Sequence, residues 1–196
     1  MIDRRTQRHD DVRGEILEAA WTLADRDGIA GLSLRELAAK VGVRPPSLYT
    51  YFESKDALYD ALYVDANRQL MGRLSGFVAD PRPDDPAELL ARGLEEWIGF
   101  CQESVARYQI LYTRAVPGWT PTPEAYTVAV EAYEQAAEFA ALAGITEPED
   151  LDMYTAIAGG LAAQQIANDP AGDRWHRLAE RAVRMLLSDI GKVRTK

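Results

Sequence analysis

Apolar residues recur along this chain every three or four positions, and no segment alternates apolar and polar residues for long. That period predicts helices throughout and no sheet. Val12, Ile16, Ala19, Ala20 and Leu23 fall on one face of a first helix, with Gly28 placed to end it. Ser33, with Glu36 three residues on, has the form of a capping box. It opens a short second helix carrying Leu37, Ala38 and Val41, which Gly42 breaks. Pro45 and Pro46 fit only a first helical turn or a loop. A third helix is therefore predicted from there to about Phe52. Ser54-Lys55-Asp56 starts a long fourth helix through Leu58, Leu62, Leu70 and Phe77.

Three prolines in Asp80-Pro81-Arg82-Pro83-Asp84-Asp85-Pro86 make the clearest break in the chain. A fifth helix follows, with Leu90, Leu94, Trp97, Ile98 and Cys101 in register, and a sixth covers roughly 104–114. After a Pro- and Gly-rich loop at 117–123, a seventh helix aligns Tyr126, Ala129, Val130, Tyr133 and Ala140, and Gly144 ends it. Acidic residues around Pro148 open an eighth helix carrying Leu151, Tyr154, Ala158, Leu161 and Gln165, in keeping with the positive end of the helix dipole. A tight turn at 168–173 precedes a ninth helix with Trp175, Leu178, Ala182, Met185 and Leu186. The expected fold is all-α with about nine helices. The expected domains are an N-terminal three-helix domain over 1–55 and a helical domain over 56–196. The long helix at 55–79 links the two.

The composition narrows the chemistry. One cysteine, Cys101, excludes an intrachain disulfide and a cysteine-based zinc site. Neither His9 nor His176 sits in a ligand-spaced pair, so no metal and no cofactor is expected. No nucleophile-elbow or phosphate-loop pattern is present, which argues against an enzyme. The longest uncharged run, 153–168, carries two glutamines and is too short to span a bilayer. No signal-peptide pattern follows Met1, so the expected compartment is the cytoplasm. The net charge of −9 is uneven. Residues 1–79 hold 11 Lys/Arg and 12 Asp/Glu, a net of −1, and residues 80–196 hold 11 and 19, a net of −8. Two parts with different partners would carry charge in this way.

Residues 33–52 read helix, glycine turn, helix. Leu37, Ala38, Val43 and Leu48 are spaced to pack the two helices, with Ala38 small where they cross. No Asp or Glu occurs between Val41 and Phe52. The predicted outward residues are Arg44, Ser47, Tyr49, Thr50 and Tyr51, all suited to phosphate and base contact in a major groove. Lys55, at the start of the next helix, is placed to hold a phosphate together with that helix's amides. Tyr49 also fits core packing, and Arg35 and Lys55 also fit ordinary solvated positions. A helical ligand-binding or interaction module without DNA binding is the alternative, and it leaves the acid-free third helix to chance.

Residues 31–62 resemble the DNA-binding domain of the TetR family of repressors. The matches are Ser33, Ala38, Gly42-Val43, Leu48-Tyr49, Tyr51-Phe52, Lys55 and Leu58, all in one register. The resemblance implies that Ser33, Ser47, Tyr49, Tyr51 and Lys55 contact the phosphate backbone. It implies base reading by Arg35 and operator choice at Arg44, Pro45, Pro46 and Thr50. Position 44 is usually a small N-capping residue, and Arg44 departs from that pattern. The implied function is a ligand-responsive DNA-binding regulator, a repressor released from a palindromic operator by a small molecule.

The same resemblance implies an inducer pocket and a dimer interface in the C-terminal part. Trp97, Phe100, Cys101, Tyr108, Tyr112, Trp119, Tyr126, Tyr133 and Tyr154 are the candidate pocket residues, suited to a small, partly apolar effector, and they equally suit an ordinary core. Cys101 reads as a buried hydrophobe rather than a redox sensor. For a homodimer, the candidate face is Leu151, Ala158, Leu161, Ala162 and Gln165 on the eighth helix with Trp175, Leu178, Ala182 and Met185 on the ninth. Paired across two subunits these would form a four-helix bundle.

Overall fold

The computed structural model describes residues 4–79 and 83–194, with the side chains of 4–6, 77–79 and 192–194 left aside. The Phe77 side chain and residues 80–82 of the proline-rich break lie outside what is described. Among the described residues there are nine α-helices and no strand. They are α1 (Arg4–Asp27), α2 (Leu34–Lys40), α3 (Pro45–Leu48), α4 (Lys55–Ala79), α5 (Pro86–Glu103), α6 (Val105–Tyr112), α7 (Pro123–Ala141), α8 (Pro148–Asn168) and α9 (Ala179–Arg194). Short 3-10 turns lie at Ile29–Gly31 and His176–Leu178. None of these helices is long and apolar enough to cross a membrane.

Two boundaries differ from the sequence reading. The third helix ends at Leu48 rather than near Phe52. It opens on two prolines, which donate no amide, and Thr50 and Tyr51 are modest helix formers. The chain tightens there into i→i+3 bonds, from the Thr50 amide to the Ser47 carbonyl and from Tyr51 to Leu48. The ninth helix begins at Ala179, so Trp175 and Leu178 precede it. The Trp175 amide donates to the Gln165 side chain at 2.8 Å, and the Leu178 amide closes a 3-10 turn on the Trp175 carbonyl at 3.1 Å before α9 begins.

The chain forms two compact units, residues 1–66 with 104–127, and residues 67–103 with 128–196. The sequence reading grouped everything from 56 onward together. In the structure, α6 and the loop after it lie with the N-terminal helices. Ile16, Ala20, Ile29, Leu32, Leu37, Ala38, Leu58 and Leu62 fill the core of this first unit. Polar ties then fix its helices. The Trp21 indole donates to Asp65 of α4 at 2.7 Å. The buried Tyr59 hydroxyl donates to the Ile29 carbonyl at 3.2 Å. Asp25 of α1 accepts from the Ser104 hydroxyl at 2.7 Å and the Ala106 amide at 3.2 Å, satisfying the start of α6. Gln109 of α6 accepts from the Ile29 amide at 3.1 Å.

The second unit buries Leu90 and Leu94 of α5, Phe139 and Ala140 of α7, Leu151 and Tyr154 of α8, and Val183, Leu186 and Ile190 of α9 in one cluster. The Tyr154 hydroxyl donates to the Leu90 carbonyl at 3.0 Å, and burial pushes this phenol well above its ordinary value. Asp85 caps α5 by accepting from the Ala87 amide at 2.9 Å and pairs with Arg184 of α9 at 2.7 Å. The amide and the guanidinium both hold its carboxyl below the usual range. The turn after α8 is held by buried Gln165, which donates to the Gly172 carbonyl at 3.1 Å, and by Gln102 of α5, which donates to the carbonyls of Pro170 and Gly172.

Gly93 marks the tightest helix approach in this unit. A Cβ there would lie 2.5 Å from the Phe139 ring and 3.2 Å from the Tyr154 hydroxyl oxygen. Gly72 of α4 has nothing within 4 Å of the same added atom. Gly93→Ala therefore gains about 1 kcal/mol of helix propensity but incurs about 1–3 kcal/mol of overpacking, for a net loss of up to about 2 kcal/mol. Gly72→Ala gains propensity alone, up to about 1 kcal/mol. Denaturant unfolding of the two variants should show midpoints moving in opposite directions.

Candidate nucleic-acid interface and effector unit

The α2–α3 pair is built from local rules. The Ser33 hydroxyl caps α2 by accepting from the Glu36 amide. The Glu36 carboxylate in turn accepts from Arg26 of α1 at 3.1 Å. Gly42 takes φ +73° at the turn, a conformation that L side chains resist. The Val43 amide donates to the carbonyl of fully buried Ala38 at 2.9 Å, closing the second helix onto the turn. Arg44 stands at the N-cap of α3 with no side-chain cap bond, and Pro45 and Pro46 fill the first helical positions. Leu48 and Phe52 are buried and anchor α3 and the turn after it.

What remains outside is the candidate surface. Arg35, Arg44, Pro45, Pro46, Tyr49 and Thr50 are exposed, and Ser33, Ser47, Tyr51 and Lys55 are half-buried. Tyr49 is 53% exposed, so it does not serve as core. The Lys55 ammonium sits 5.3 Å from the centre of the Tyr59 ring, a cation–π contact at the start of α4. No carboxylate interrupts the chain from Val41 to Phe52. The result is a surface of rings, hydroxyls, the guanidiniums of Arg35 and Arg44 and the Lys55 ammonium. Two further residues join it that sequence reasoning did not single out. His9 of α1 stacks on Tyr51 with ring centres 4.8 Å apart, and Arg13 lies 4.8 Å over the Phe52 ring. Forty-two positions separate His9 from Tyr51, and no periodic signal links them.

The structure divides the candidate pocket residues between the units. Tyr108, Tyr112, Trp119 and Tyr126 belong to the first unit. There Tyr108 stacks on Tyr112, and Trp119 donates to Asp60 of α4 at 3.2 Å while packing on Tyr59 and Tyr63. Trp97, Phe100, Cys101, Tyr133 and Tyr154 belong to the second. Trp97 donates to the Ala158 carbonyl at 3.2 Å and stacks on Phe100. Cys101 is fully buried, and desolvation pushes its thiol far above the ordinary range, which makes it unreactive. Tyr112, Tyr126 and Tyr133 are exposed. Within the second unit a cleft of about 380 Å³ opens between α4 and α7. Leu74, Phe139 and Leu142 supply its apolar wall, and Ser75, Gln135 and Glu138 its polar groups. Phe139 of α7 is its aromatic residue.

Of the expected dimer residues, Leu151, Ala162 and Gln165 are buried inside the unit, engaged by its own core and by the turn after α8. Ala158, Leu161, Trp175, Leu178 and Ala182 are half-buried, and Met185 is 65% exposed. The outer face of α8 instead presents Met153, Ala156, Gly160, Gln164 and Ala167, a narrow stripe at helical spacing.

Comparison with known proteins bears on this arrangement. Residues 16–62 match the family described as "Bacterial regulatory proteins, tetR family". The HTH-type transcriptional regulator Rv1816 of Mycobacterium tuberculosis is 30% identical over 127 residues, covering 63% of this chain and 53% of that protein. The chain thus spans about half the length of that curated relative. A tetR-family transcriptional regulator from Streptomyces coelicolor superposes with a TM-score of 0.70 at 20% identity, over 91% of this chain and 80% of that one. The transcriptional regulator FadR from Bacillus subtilis, solved with stearoyl-CoA, gives a TM-score of 0.66 at 16% identity, over 89% and 97%. At those identities the two structures establish likeness of fold.

Proposed function

We propose that this chain, which belongs to the tetR family of bacterial regulatory proteins through residues 16–62, is a ligand-responsive repressor that binds a palindromic operator as a homodimer. The observation that carries this reading is the helix-turn-helix segment, free of acid from Val41 to Phe52, exposed at Arg44, Tyr49 and Thr50, and matched to the family in one register. The reading is of a cytoplasmic regulator and not of an enzyme. In it, α3 enters the major groove, and Ser33, Ser47, Tyr49, Tyr51 and Lys55 hold phosphates. Arg35, Arg44, Pro45, Pro46 and Thr50 face base edges. Arg44, relieved of capping, has the donors to read a guanine edge. Phosphate neutralisation releases counterions, so operator affinity falls steeply between about 50 and 200 mM salt. Tyr49→Ala and Lys55→Ala weaken binding to all duplexes. Arg44→Ala also broadens the sequences selected from a random duplex library, and an unchanged logo overturns its specificity role.

The dimer face proposed here is the α8 stripe around Gly160 together with Met185 of α9. An added Cβ at Gly160 meets nothing within 4 Å, so the subunit itself tolerates a side chain there. Gly160→Trp is expected to convert a dimeric mass to a monomeric one in light scattering while keeping the helical signal. A dimer that survives this change removes α8 from the interface.

The proposed effector is a small, partly apolar molecule held in the second unit, for which the α4–α7 cleft offers an apolar wall and an amide. Helix α4 is common to both units, with 55–66 in the first and 67–79 in the second. A ligand that repositions α4 alters the spacing of two half-sites set about 34–36 Å apart. Near-complete reversal needs about 5.5 kcal/mol of preference for the unbound state, whereas a coupling of about 1–3 kcal/mol gives partial release. The check is reciprocity. A compound found by its effect on the fluorescence of Trp97 and Trp119 must weaken operator binding by the same factor that operator weakens its own binding.

A further inference from the structure

The first turns of α1 have no role in the core. Residues 7–15 are exposed apart from half-buried Val12, and full burial begins at Ile16. Yet the helix starts at Arg4, about three turns earlier. Its outer side meets the turn after α3, through His9 on Tyr51 and Arg13 over Phe52. Residues 4–13 hold four arginines and two aspartates in a chain whose net charge is −9. The exposed turns of α1 are therefore stacked on one of the rings proposed to meet the DNA backbone.

We propose that these turns are a second part of the DNA-contact surface. His9 positions the Tyr51 ring by stacking and, when protonated, donates from Nε2 to a backbone phosphate. The inference rests on the operator-binding reading above. Its chemistry follows from the faces of the imidazole. Nδ1 lies 3.7 Å from the Asp10 carboxylate, which leaves Nε2 for an outside acceptor. The charged groups next to it on α1 are Arg8, Asp10 and Arg13. The turn packed against it carries Tyr49, Tyr51 and Glu53, and Lys55 opens the helix beyond. Histidine is the side chain whose charge changes between pH 5 and 8. Its protonation adds one cation per subunit, two per dimer, to those that release counterions from the duplex.

The experiment uses the full chain and the duplex it enriches most strongly from a random library, read by fluorescence anisotropy at pH 6 and pH 8 across a salt series. The wild type should bind more tightly at pH 6, with a salt slope steeper there by up to about 1.8, the value of two further phosphate contacts, one from each subunit of the dimer. His9→Phe keeps a stacked ring without the charge, so it should match the wild type at pH 8 and lose the change in slope. His9→Ala removes the stack as well and should bind several-fold more weakly at both pH values. The His9 side chain is 44% exposed, so neither change disturbs the core. A His9→Phe protein that retains the wild-type slope change, or a His9→Ala protein with wild-type affinity, overturns the inference and leaves operator binding standing. A wild type that enriches no duplex overturns the operator reading and this inference with it.

Discussion

Helix α3 is four residues long, and a helix that short does not form by itself in water. Everything proposed for the reading surface depends on burying Leu48 and Phe52 on either side of Tyr49–Tyr51. Those two anchors fix both ends of the exposed segment, while Gly42 and the Ala38–Val43 bond fix its entry angle. Among the surface residues Tyr51 stacks on His9, Ser33 caps α2 and Lys55 lies over Tyr59, whereas Arg44, Tyr49 and Thr50 are exposed. Substitution at Arg44, Tyr49 or Thr50 changes what is presented without changing what is held.

The same dependence explains why the first unit extends beyond the N-terminal helices. Helices α1 and α4 are tied by Trp21–Asp65 and, through the 3-10 turn, by Tyr59–Ile29. Helix α6 joins because Asp25 satisfies its first amides and Gln109 satisfies the Ile29 amide. A buried amide without a partner is costly, so these side chains bind segments about 80 positions apart as firmly as local packing does.

Charge follows an equally local logic. Of the net charge of −9, residues 80–196 carry −8, and no acid lies between Val41 and Phe52. At the Debye length of physiological salt, about 8 Å, a phosphate responds to the residues beside it more than to the total.

The sequence by itself determined the all-helical class, the capped start of α2, the turn at Gly42, the uncapped Arg44 and the acid-free segment from Val41 to Phe52. Each of these follows from periods and caps that act within a few positions. Tertiary structure decided what depends on distant partners. It shortened α3 and set a 3-10 turn at His176–Leu178 ahead of α9. It split the aromatic residues between two units and turned Leu151, Ala162 and Gln165 inward. It also set His9 on Tyr51. A helical pattern tells which residues share a face but not which element covers that face, and that choice rests on hydrogen bonds and packing between segments far apart in the chain.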